Sequence, residues 1–211
     1  TWHSAITQFS RMRSYYQRRK TWVAARRARA TDRRSVKTLA PRITHVKAYD
    51  AYACAFPTID PQVVCRSASV NQNYGPEFRY GHYVLVKNPL KIAGGLAAVG
   101  GIFALSQWQY TRDFLLKVRD PGDGPDEKTR ANSWFKVKFI GRARGLHVWT
   151  EVAGGDPGYG ETSKMLAESA LCLALHEQSL PANFGVVTPA AAMGEQLIER
   201  LQKAGIEFNV L

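Results

Sequence analysis

The 211-residue sequence predicts an α/β (α+β) fold, with helices packed on a mixed, largely antiparallel sheet. A basic N-terminal helix and an apolar glycine-rich helical segment complete this prediction. Apolar and polar residues alternate between positions 134 and 152, which indicates a β-hairpin with one buried face. The C-terminal part has the pattern strand, helix, strand, helix, strand. Apolar residues make up 45% of the chain, which is enough for a packed core and excludes a disordered or collagen-like chain.

The first predicted element is a basic helix from Thr1 to about Leu39. Its segment Arg11–Arg34 contains ten Lys or Arg residues and one Asp, with no Pro or Gly. This segment therefore carries +9 of the chain's net charge of +12. Three interpretations of this basic arm stay open: a solvated helix, a membrane-surface helix and a nucleic-acid-binding helix. No helix-turn-helix, zinc-finger or RNP-type motif supports the third.

An uncharged segment, Ile92–Leu105, favours a membrane over nucleic acid as the partner. It has fourteen residues, fewer than the roughly 20 that span a bilayer, and its Lys and aromatic flanks are typical of interfacial anchors. A buried core helix and a monotopic membrane-contact helix are equally favoured, and a full span is less so. The predicted membrane contacts are Arg18, Arg19, Lys20, Trp22, Arg26, Arg27, Ile92, Leu96, Phe103 and Trp108.

The middle of the chain is predicted to form short elements. A helix at about Gln62–Ser69 follows Asp60-Pro61, which has the residue types of an N-cap and a first helical position. The other elements are a strand at Ile43–Tyr49, an aromatic-rich turn at Asn71–Tyr83, a strand at Val84–Lys87, a helix at Ile92–Lys117 and an exposed acidic loop at Asp120–Asn132.

The C-terminal part has the clearest periodicity. Its hairpin pairs Trp134–Ile140 with Leu146–Val152, because both stretches alternate apolar and polar residues. The elements after it are a helix at about Thr162–Gln178, a short strand at Phe184–Val187, a helix that Thr188-Pro189 begins and Gly205 ends, and a final strand at Ile206–Leu211.

Most standard catalytic and metal-binding patterns are absent from the sequence. The three cysteines have no paired spacing and the five histidines are isolated, so we expect neither a disulfide scaffold nor a metal site. No G-x-G-x-x-G follows a strand, and there is no G-x-S-x-G. The loop Gly155–Thr162 resembles a Walker A loop, but Glu161 occupies the lysine position and would repel phosphate. An anion-holding loop and a glycine-rich packing turn remain as alternatives.

The segment Tyr74–Tyr83 is the second candidate for chemistry. It contains tyrosines, a histidine, an arginine and a glutamate within ten residues. Tyr and His donate protons in reductions, and Arg binds carboxylate or phosphate groups. A packed aromatic turn without a catalytic role is the alternative.

Four segments together resemble a known family. YGPEFRYGHY, the run Trp134–Gly141, VAGGDPGYGETSKMLAESALCLA and GVVTPAAAMGEQLIERLQKAGIEFNV resemble, in order, the C-terminal part of saccharopine dehydrogenase-like oxidoreductases. The branch that they resemble most is the trans-acting enoyl reductases of lipid-making actinobacteria. The resemblance covers nearly all of Tyr49–Leu211, whereas the basic arm matches only loosely.

The resemblance implies a lipid- or membrane-associated oxidoreductase that uses NADP or NAD and reduces enoyl groups on polyketide-derived chains. It implies that an upstream Rossmann domain binds most of the cofactor, so we expect the chain to be a C-terminal fragment and inactive alone. We predict a basic helical arm at residues 1–48 and a substrate-binding and oligomerisation domain at residues 49–211. A non-catalytic membrane-surface or protein-interaction module is the alternative function.

Site residues are predicted from the two clusters. Tyr80 and His82 are the predicted catalytic residues, with Tyr80 or His82 as the proton donor, and no metal is expected. The predicted substrate contacts are Arg79, Tyr74, Tyr159, Glu161, Thr162, Ser163 and Lys164, and the predicted cofactor contacts are Gly155, Gly158 and Gly160. The expected partners are a lipid or acyl substrate, an anionic membrane surface and a homodimer or larger assembly, but not nucleic acid. We expect a cytoplasmic protein bound peripherally to a membrane.

Overall fold

The computed structural model describes residues 2–12, 14, 17, 34–56, 58–118, 120, 122 and 124–211. The chain divides into two compact units, Thr1–Asp123 and Gly124–Leu211, called unit 1 and unit 2. Helices and mainly antiparallel strands make up both units, which confirms the predicted mixed α/β class. The assignment of residues 1–48 to an arm and 49–211 to a substrate-binding domain stays a prediction.

Unit 1 begins with helix α1, residues 2–12. The next described strand is β1, Ser35–Thr38, which pairs in parallel with β4, Glu77–Tyr80. The prediction of a helix continuing to Leu39 is therefore wrong at its C-terminal end. The β-branched residues of β1 fit a strand, and pairing with β4 gives them a partner that the local sequence did not reveal.

A three-stranded antiparallel sheet lies elsewhere in unit 1, with the order β2-β3-β5. Its strands are β2, Ile43–Val46, β3, Ala51–Ala55, and β5, Tyr83–Val86. The predictions of β2 and β5 are confirmed. Strand β3 was missed because small residues have weak strand propensity, and its conformation is determined by pairing on both sides.

Helix α2, Asp60–Val70, packs on β1 and β4 through buried Ser67 and Ala68. Its N-cap is Ile59, so Asp60 is the first helical residue rather than the predicted cap. Pro61 lies in the first turn, where the missing N–H has no helical acceptor to lose.

The predicted helix at Ile92–Lys117 is two helices, α3, Pro89–Ser106, and α4, Gln109–Leu116. They are separate because Trp108 has an extended backbone (φ −101°, ψ 142°). Asn88 caps α3 by accepting a 2.8 Å hydrogen bond from the N–H of Leu90. Helix α1 contacts these helices through Phe9, whose ring lies 6.2 Å from that of Phe103, and Ile6 of α1 is fully buried.

Unit 2 contains the predicted hairpin, here β6, Phe135–Ala143, and β7, Leu146–Gly154. Arg144 and Gly145 both have positive φ (48° and 82°), as a two-residue hairpin turn of type I′ requires. Strand β8, Glu207–Val210, pairs antiparallel with β7 on its other side. A short helix α5, Glu127–Ala131, interrupts the predicted acidic loop because Asp126 accepts a hydrogen bond from the N–H of Thr129.

Helices α6, Gly160–Leu175, and α7, Pro189–Lys203, pack together. They form a core with the strands; its buried members are Cys172, Met193, Leu197, Leu201 and Ile206, and Phe135, Val152 and Phe208 pack against it.

Gly205 ends α7 as predicted, with φ +91°. The N–H groups of Gly205 and Ile206 donate to the carbonyls of Gln202 and Leu201, the pattern of a Schellman motif. The predicted strand at Phe184–Val187 is wrong, because these residues are irregular and Phe184 and Val186 are almost fully exposed.

Candidate functional site

The aromatic cluster of unit 1 brings the two predicted proton donors together. Tyr80 is the last residue of β4, and His82 lies in the link to β5. The hydroxyl of Tyr80 is 3.3 Å from Nδ1 of His82, within hydrogen-bond distance, and which atom donates depends on the His82 tautomer. The link is fixed by a 3.0 Å hydrogen bond from the N–H of Phe56 to the carbonyl of His82.

Gly81 separates the two donors and allows a close ring approach. A Cβ atom at this position would lie 2.7 Å from a ring carbon of Tyr83 and 2.9 Å from its hydroxyl. Only glycine therefore leaves room for the Tyr83 ring against this backbone, and a larger residue would displace that ring beside the Tyr80–His82 pair.

The phenol of Tyr80 is neutral at physiological pH. Burial raises its pKa above the ordinary value, and the nearby groups Asp60 and Cys65 raise it further. Burial also raises the pKa of the Cys65 thiol, so this cysteine is protonated and a poor nucleophile. The geometry supports one chemical use of the cluster: a phenol that holds a proton next to an imidazole.

Two other predicted substrate contacts in this cluster have different surroundings. Arg79 lies on the opposite face of β4 from Tyr80, since successive side chains of a strand alternate. Its closest carboxylate is Glu77, at 4.0 Å, and both side chains are exposed. The ring of Tyr74 packs edge-to-face on Phe78 at 4.8 Å. The structure thus places Tyr74 with the packed aromatic residues and Arg79 away from the Tyr80–His82 pair.

The glycine-rich loop of unit 2 is closed by its own carboxylate. Asp156 Oδ2 accepts hydrogen bonds of 2.9 Å from the N–H groups of Tyr159 and Gly160, and Oδ1 accepts one of 3.1 Å from Gly158. These bonds, led by that from Gly160, hold the pKa of Asp156 below its ordinary value, and Arg130 lowers it further. The N-terminus of α6 is therefore satisfied within the chain.

Glu161 is buried at the first turn of α6 and paired with Lys164. The ammonium of Lys164 lies 2.9 Å from Oε1 and 2.7 Å from Oε2 of Glu161. Oε1 also accepts a 3.3 Å hydrogen bond from the N–H of Gly155. Lys164 is thus neutralised by Glu161, and Gly155 donates to that carboxylate.

The remaining predicted contacts of the loop also bond within unit 2. The hydroxyls of Thr162 and Ser163 donate to the carbonyls of Pro157 and Tyr159. The guanidinium of Arg130 lies 6.0 Å from the centre of the Tyr159 ring, which is half-exposed. The roles predicted for these side chains and for Gly155, Gly158 and Gly160 stay predictions, and the geometry gives the loop a structural role.

The two clusters belong to different units, so the structure describes two local sites. Among the predicted membrane contacts, those between Arg18 and Arg27 lie outside the described residues. Leu96, Phe103 and Trp108 are exposed, and Ile92 is half-buried. In the part of the chain that the structure describes, no group of three His, Cys, Asp or Glu side chains is placed to hold a metal ion.

Sequence reasoning missed the surroundings of both clusters. Asp60, Cys65 and Phe56 surround Tyr80 and His82 through contacts between distant positions, for which the sequence carries no local signal. The cap formed by Asp156 had a signal, since Asp-Pro-Gly before a helical pattern is typical of a turn that begins a helix.

Several mycobacterial proteins named trans-acting enoyl reductase match this chain. One from Mycobacterium tuberculosis is 35% identical over 186 residues, which cover 82% of this chain and 43% of the relative. Relatives of that name from Mycobacterium leprae and Mycobacterium ulcerans are 32% and 31% identical over 155 and 142 residues; these cover 69% and 63% of this chain and 37% and 34% of the relatives. The chain is a homologue of these proteins. It spans less than half of their length. No protein-family model matches the chain, and no solved structure matches it.

Proposed function

We propose that this chain provides the acyl-binding and proton-donating part of an NAD(P)H-dependent enoyl reductase of the saccharopine dehydrogenase-like type. Its substrate class is polyketide-derived lipid chains. The observation that carries the proposal is the 35% identity, over 82% of the chain, to a protein named trans-acting enoyl reductase. The pairing of Tyr80 with His82 supports it, since reduction of an enoyl group requires a proton donor.

The glycine-rich loop does not fit the pyrophosphate of a dinucleotide. A pyrophosphate at a helix N-terminus needs free N–H groups, and Asp156 already accepts those of Gly158, Tyr159 and Gly160. The carboxylate of Asp156 would also repel an anion. We therefore propose that NADP or NAD is bound mainly by a domain other than the two described units.

The chain's own contribution to the reaction is a proton. Saturating a carbon–carbon double bond adds a hydride to one carbon and a proton to the other, and the neutral phenol of Tyr80 is the group that holds a proton. His82, at 3.3 Å, is within reach to return a proton to the phenolate that remains. Tyr80 is accordingly the donor, and His82 its source of protons.

Calorimetric titration of the chain with a long-chain trans-2-enoyl thioester tests this function. We expect saturable binding, which Tyr80→Phe weakens about two- to tenfold through loss of one hydrogen bond. Tyr52→Phe is the matched control, because the ring that packs on His45 is retained. Absence of thioester binding would contradict the acyl-binding role, and tight binding of NADPH to the chain alone would contradict the placement of the cofactor.

A non-catalytic membrane-surface module is the second candidate function, and the exposed apolar helix α3 favours it. Vesicle binding by a chain that binds no enoyl thioester would support this alternative. We also propose a cytoplasmic location at a membrane surface, because all three cysteines are unpaired, as is usual in reducing compartments. Self-association into a homodimer or larger assembly stays a prediction.

A further inference from the structure

Helix α3 is apolar, and few of its residues are buried. Its 18 residues have a mean hydropathy of 1.5, only 6% of them are buried, and by length and composition the helix qualifies as a membrane span. Leu96 is 64% exposed and Leu90 is 78% exposed. A soluble core helix of this composition would be mostly buried, so its free surface requires an apolar partner.

Four bulky residues of α3 lie along one side of the helix. Ile92, Leu96, Val99 and Phe103 follow the spacing i, i+4, i+7 and i+11, which places them on a single face. Helix α1 contacts this face at its C-terminal end, where Phe9 packs edge-to-face on Phe103. On this face Leu96 and Val99 are exposed, and Ile92 is half-buried.

Cations flank α3 at both ends, and exposed aromatic rings lie beyond its C-terminal end. Lys87 and Lys91 lie at the N-terminal end, Arg112 lies on α4, and Lys117 directly follows α4. On α4 and just before it, the exposed fractions of Trp108, Tyr110 and Phe114 are 65%, 90% and 69%. This charge complements an anionic headgroup layer, and Trp and Tyr favour the boundary between headgroups and acyl chains.

Both ends of α3 are attached to the same folded unit. The N-terminal end follows β5 and contacts it. At the C-terminal end Ser106 is fully buried, and the side-chain amide of Gln107 donates a 3.2 Å hydrogen bond to the carbonyl of Phe9. A transmembrane α3 would place β5 and α4, parts of one compact unit, on opposite sides of a core about 30 Å thick.

We propose that α3 lies in the plane of one leaflet of an anionic bilayer, with the face formed by Ile92, Leu96 and Val99 among the acyl chains. The rings of Trp108 and Tyr110 lie at the headgroup boundary, and the four flanking cations contact anionic headgroups. The occupant of this surface is a lipid leaflet. The inference deepens the second candidate function and rests on it, but it is independent of the reductase proposal, because it uses neither Tyr80 nor the enoyl substrate.

Flotation of the full chain with vesicles tests the surface. We expect strong binding to vesicles of phosphatidylcholine with about 30% phosphatidylglycerol and weak binding to vesicles of phosphatidylcholine alone. Leu96→Asp should lower partitioning about tenfold or more, because a charge enters the apolar face. Lys87→Ser with Lys91→Ser should lower it about fivefold for each charge removed. Leu173→Asp, at an exposed leucine of α6, is the control and should leave binding unchanged.

The depth of α3 distinguishes a helix in the plane from a span. A Val99→Cys variant with Cys54→Ser and Cys65→Ser is labelled with an environment-sensitive fluorophore on the cysteine at position 99. Cys172 does not compete for the label, since it is fully buried. Quenchers attached near the headgroups should quench it more than quenchers at the acyl-chain ends, because in-plane helices lie about 5–10 Å deep. Stronger quenching at the bilayer centre would overturn the in-plane orientation.

Three further results would overturn the proposal. Equal binding to neutral and anionic vesicles would remove the role of the flanking cations. A loss of vesicle binding in Leu173→Asp equal to that in Leu96→Asp would show that the effect is not specific to α3. A chain that ignores vesicles and whose oligomeric state in sedimentation changes with Leu96→Asp would assign the surface to a second copy.

Discussion

The two units differ in how they bury their apolar side chains. In unit 2 the buried residues of α6, α7 and their surroundings form one cluster, and strand residues pack against it. Among the described residues of unit 1, the buried apolar residues are Ile6, Ala51, Ala68 and Leu115, which form no such cluster. Unit 2 therefore has a cluster of buried apolar residues that the described residues of unit 1 lack.

Polar groups show the same contrast. In unit 2 the carboxylate of Glu151 is almost buried and lies 2.8 Å from Lys136 and 3.4 Å from Lys138, and Lys136 above all lowers the pKa of Glu151. In unit 1, Arg79 is exposed and Tyr80 has His82 as its hydrogen-bonded neighbour. The comparison shows that the glycine-rich loop is closed by hydrogen bonds to Asp156, whereas the aromatic segment of unit 1 brings a phenol and an imidazole together.

The largest effect is expected in the core of unit 2. Leu201 is 8% exposed and lies in the cluster, so Leu201→Ala should lower the free energy of unfolding by about 2–5 kcal/mol through the cavity that it leaves. Chemical denaturation, monitored by hydrogen exchange of the backbone amides of α6 and α7, measures this change. Leu173→Ala, at a half-exposed leucine of α6, is the control. If both variants cost the same, unit 2 lacks the closed core that separates it from unit 1.

A smaller effect is expected where α7 ends. Gly205 has φ +91°, a conformation that costs other residues about 1–2 kcal/mol. Gly205→Ala should therefore lower the free energy of unfolding by about that amount in the same measurement. Gly141→Ala is the matched control, because its Cβ would meet Val148 at an ordinary 3.8 Å. A neutral result at Gly205 would show that the Schellman motif adds little to unit 2.

Local patterns predicted unit 2 better than unit 1, for a physical reason. The hairpin β6–β7, the helix α7 and the end at Gly205 depend on alternation, periodicity and turn chemistry, which neighbouring residues carry. Strands β1, β3 and β4 depend on partners far along the chain. A small-residue strand such as β3 has no propensity that would reveal it before its neighbours are known.

The candidate site was predictable in part. The proximity of Tyr80 and His82 follows from their spacing of two residues, but the position of Arg79 on the other face requires β4 to be a strand. The residue types of the glycine-rich loop suggested a ligand site, whereas the side chain of Asp156 accepts the N–H groups that a ligand would need. Hydrogen bonds of that kind depend on exact backbone geometry, which composition and spacing do not contain.

The carboxylate of Asp156 makes the stability of unit 2 decrease at low pH. Its pKa is lowered in the folded chain, chiefly by the N–H of Gly160, so its stabilising effect is complete above the unfolded value of about 3.9. That effect is lost as the pH falls through the lower folded pKa. In wild type the melting temperature of unit 2 should fall between about pH 5 and 2, and Asp156→Asn should flatten part of this fall. An unchanged profile in Asp156→Asn would contradict the closing of the loop by this carboxylate.

Tyr80 makes the stability of unit 1 depend on pH in the opposite direction, with a loss at high pH. This is the smallest of the expected effects. Burial raises its pKa in the folded chain, so the neutral phenol is favoured by folding. The stability that it contributes is complete below the unfolded value of about 10 and is lost as the pH rises through the folded pKa. A difference titration of tyrosinate absorbance between wild type and Tyr80→Phe should therefore show one phenol that ionises at a higher pH than an exposed tyrosine.

Tyr110, 90% exposed, is the matched reference, since Tyr110→Phe removes a phenol that lies in open solvent. If both variants remove the same part of the curve, Tyr80 is as open as the rest of the unit 1 surface, and the contrast between a partly buried phenol and its open surroundings fails.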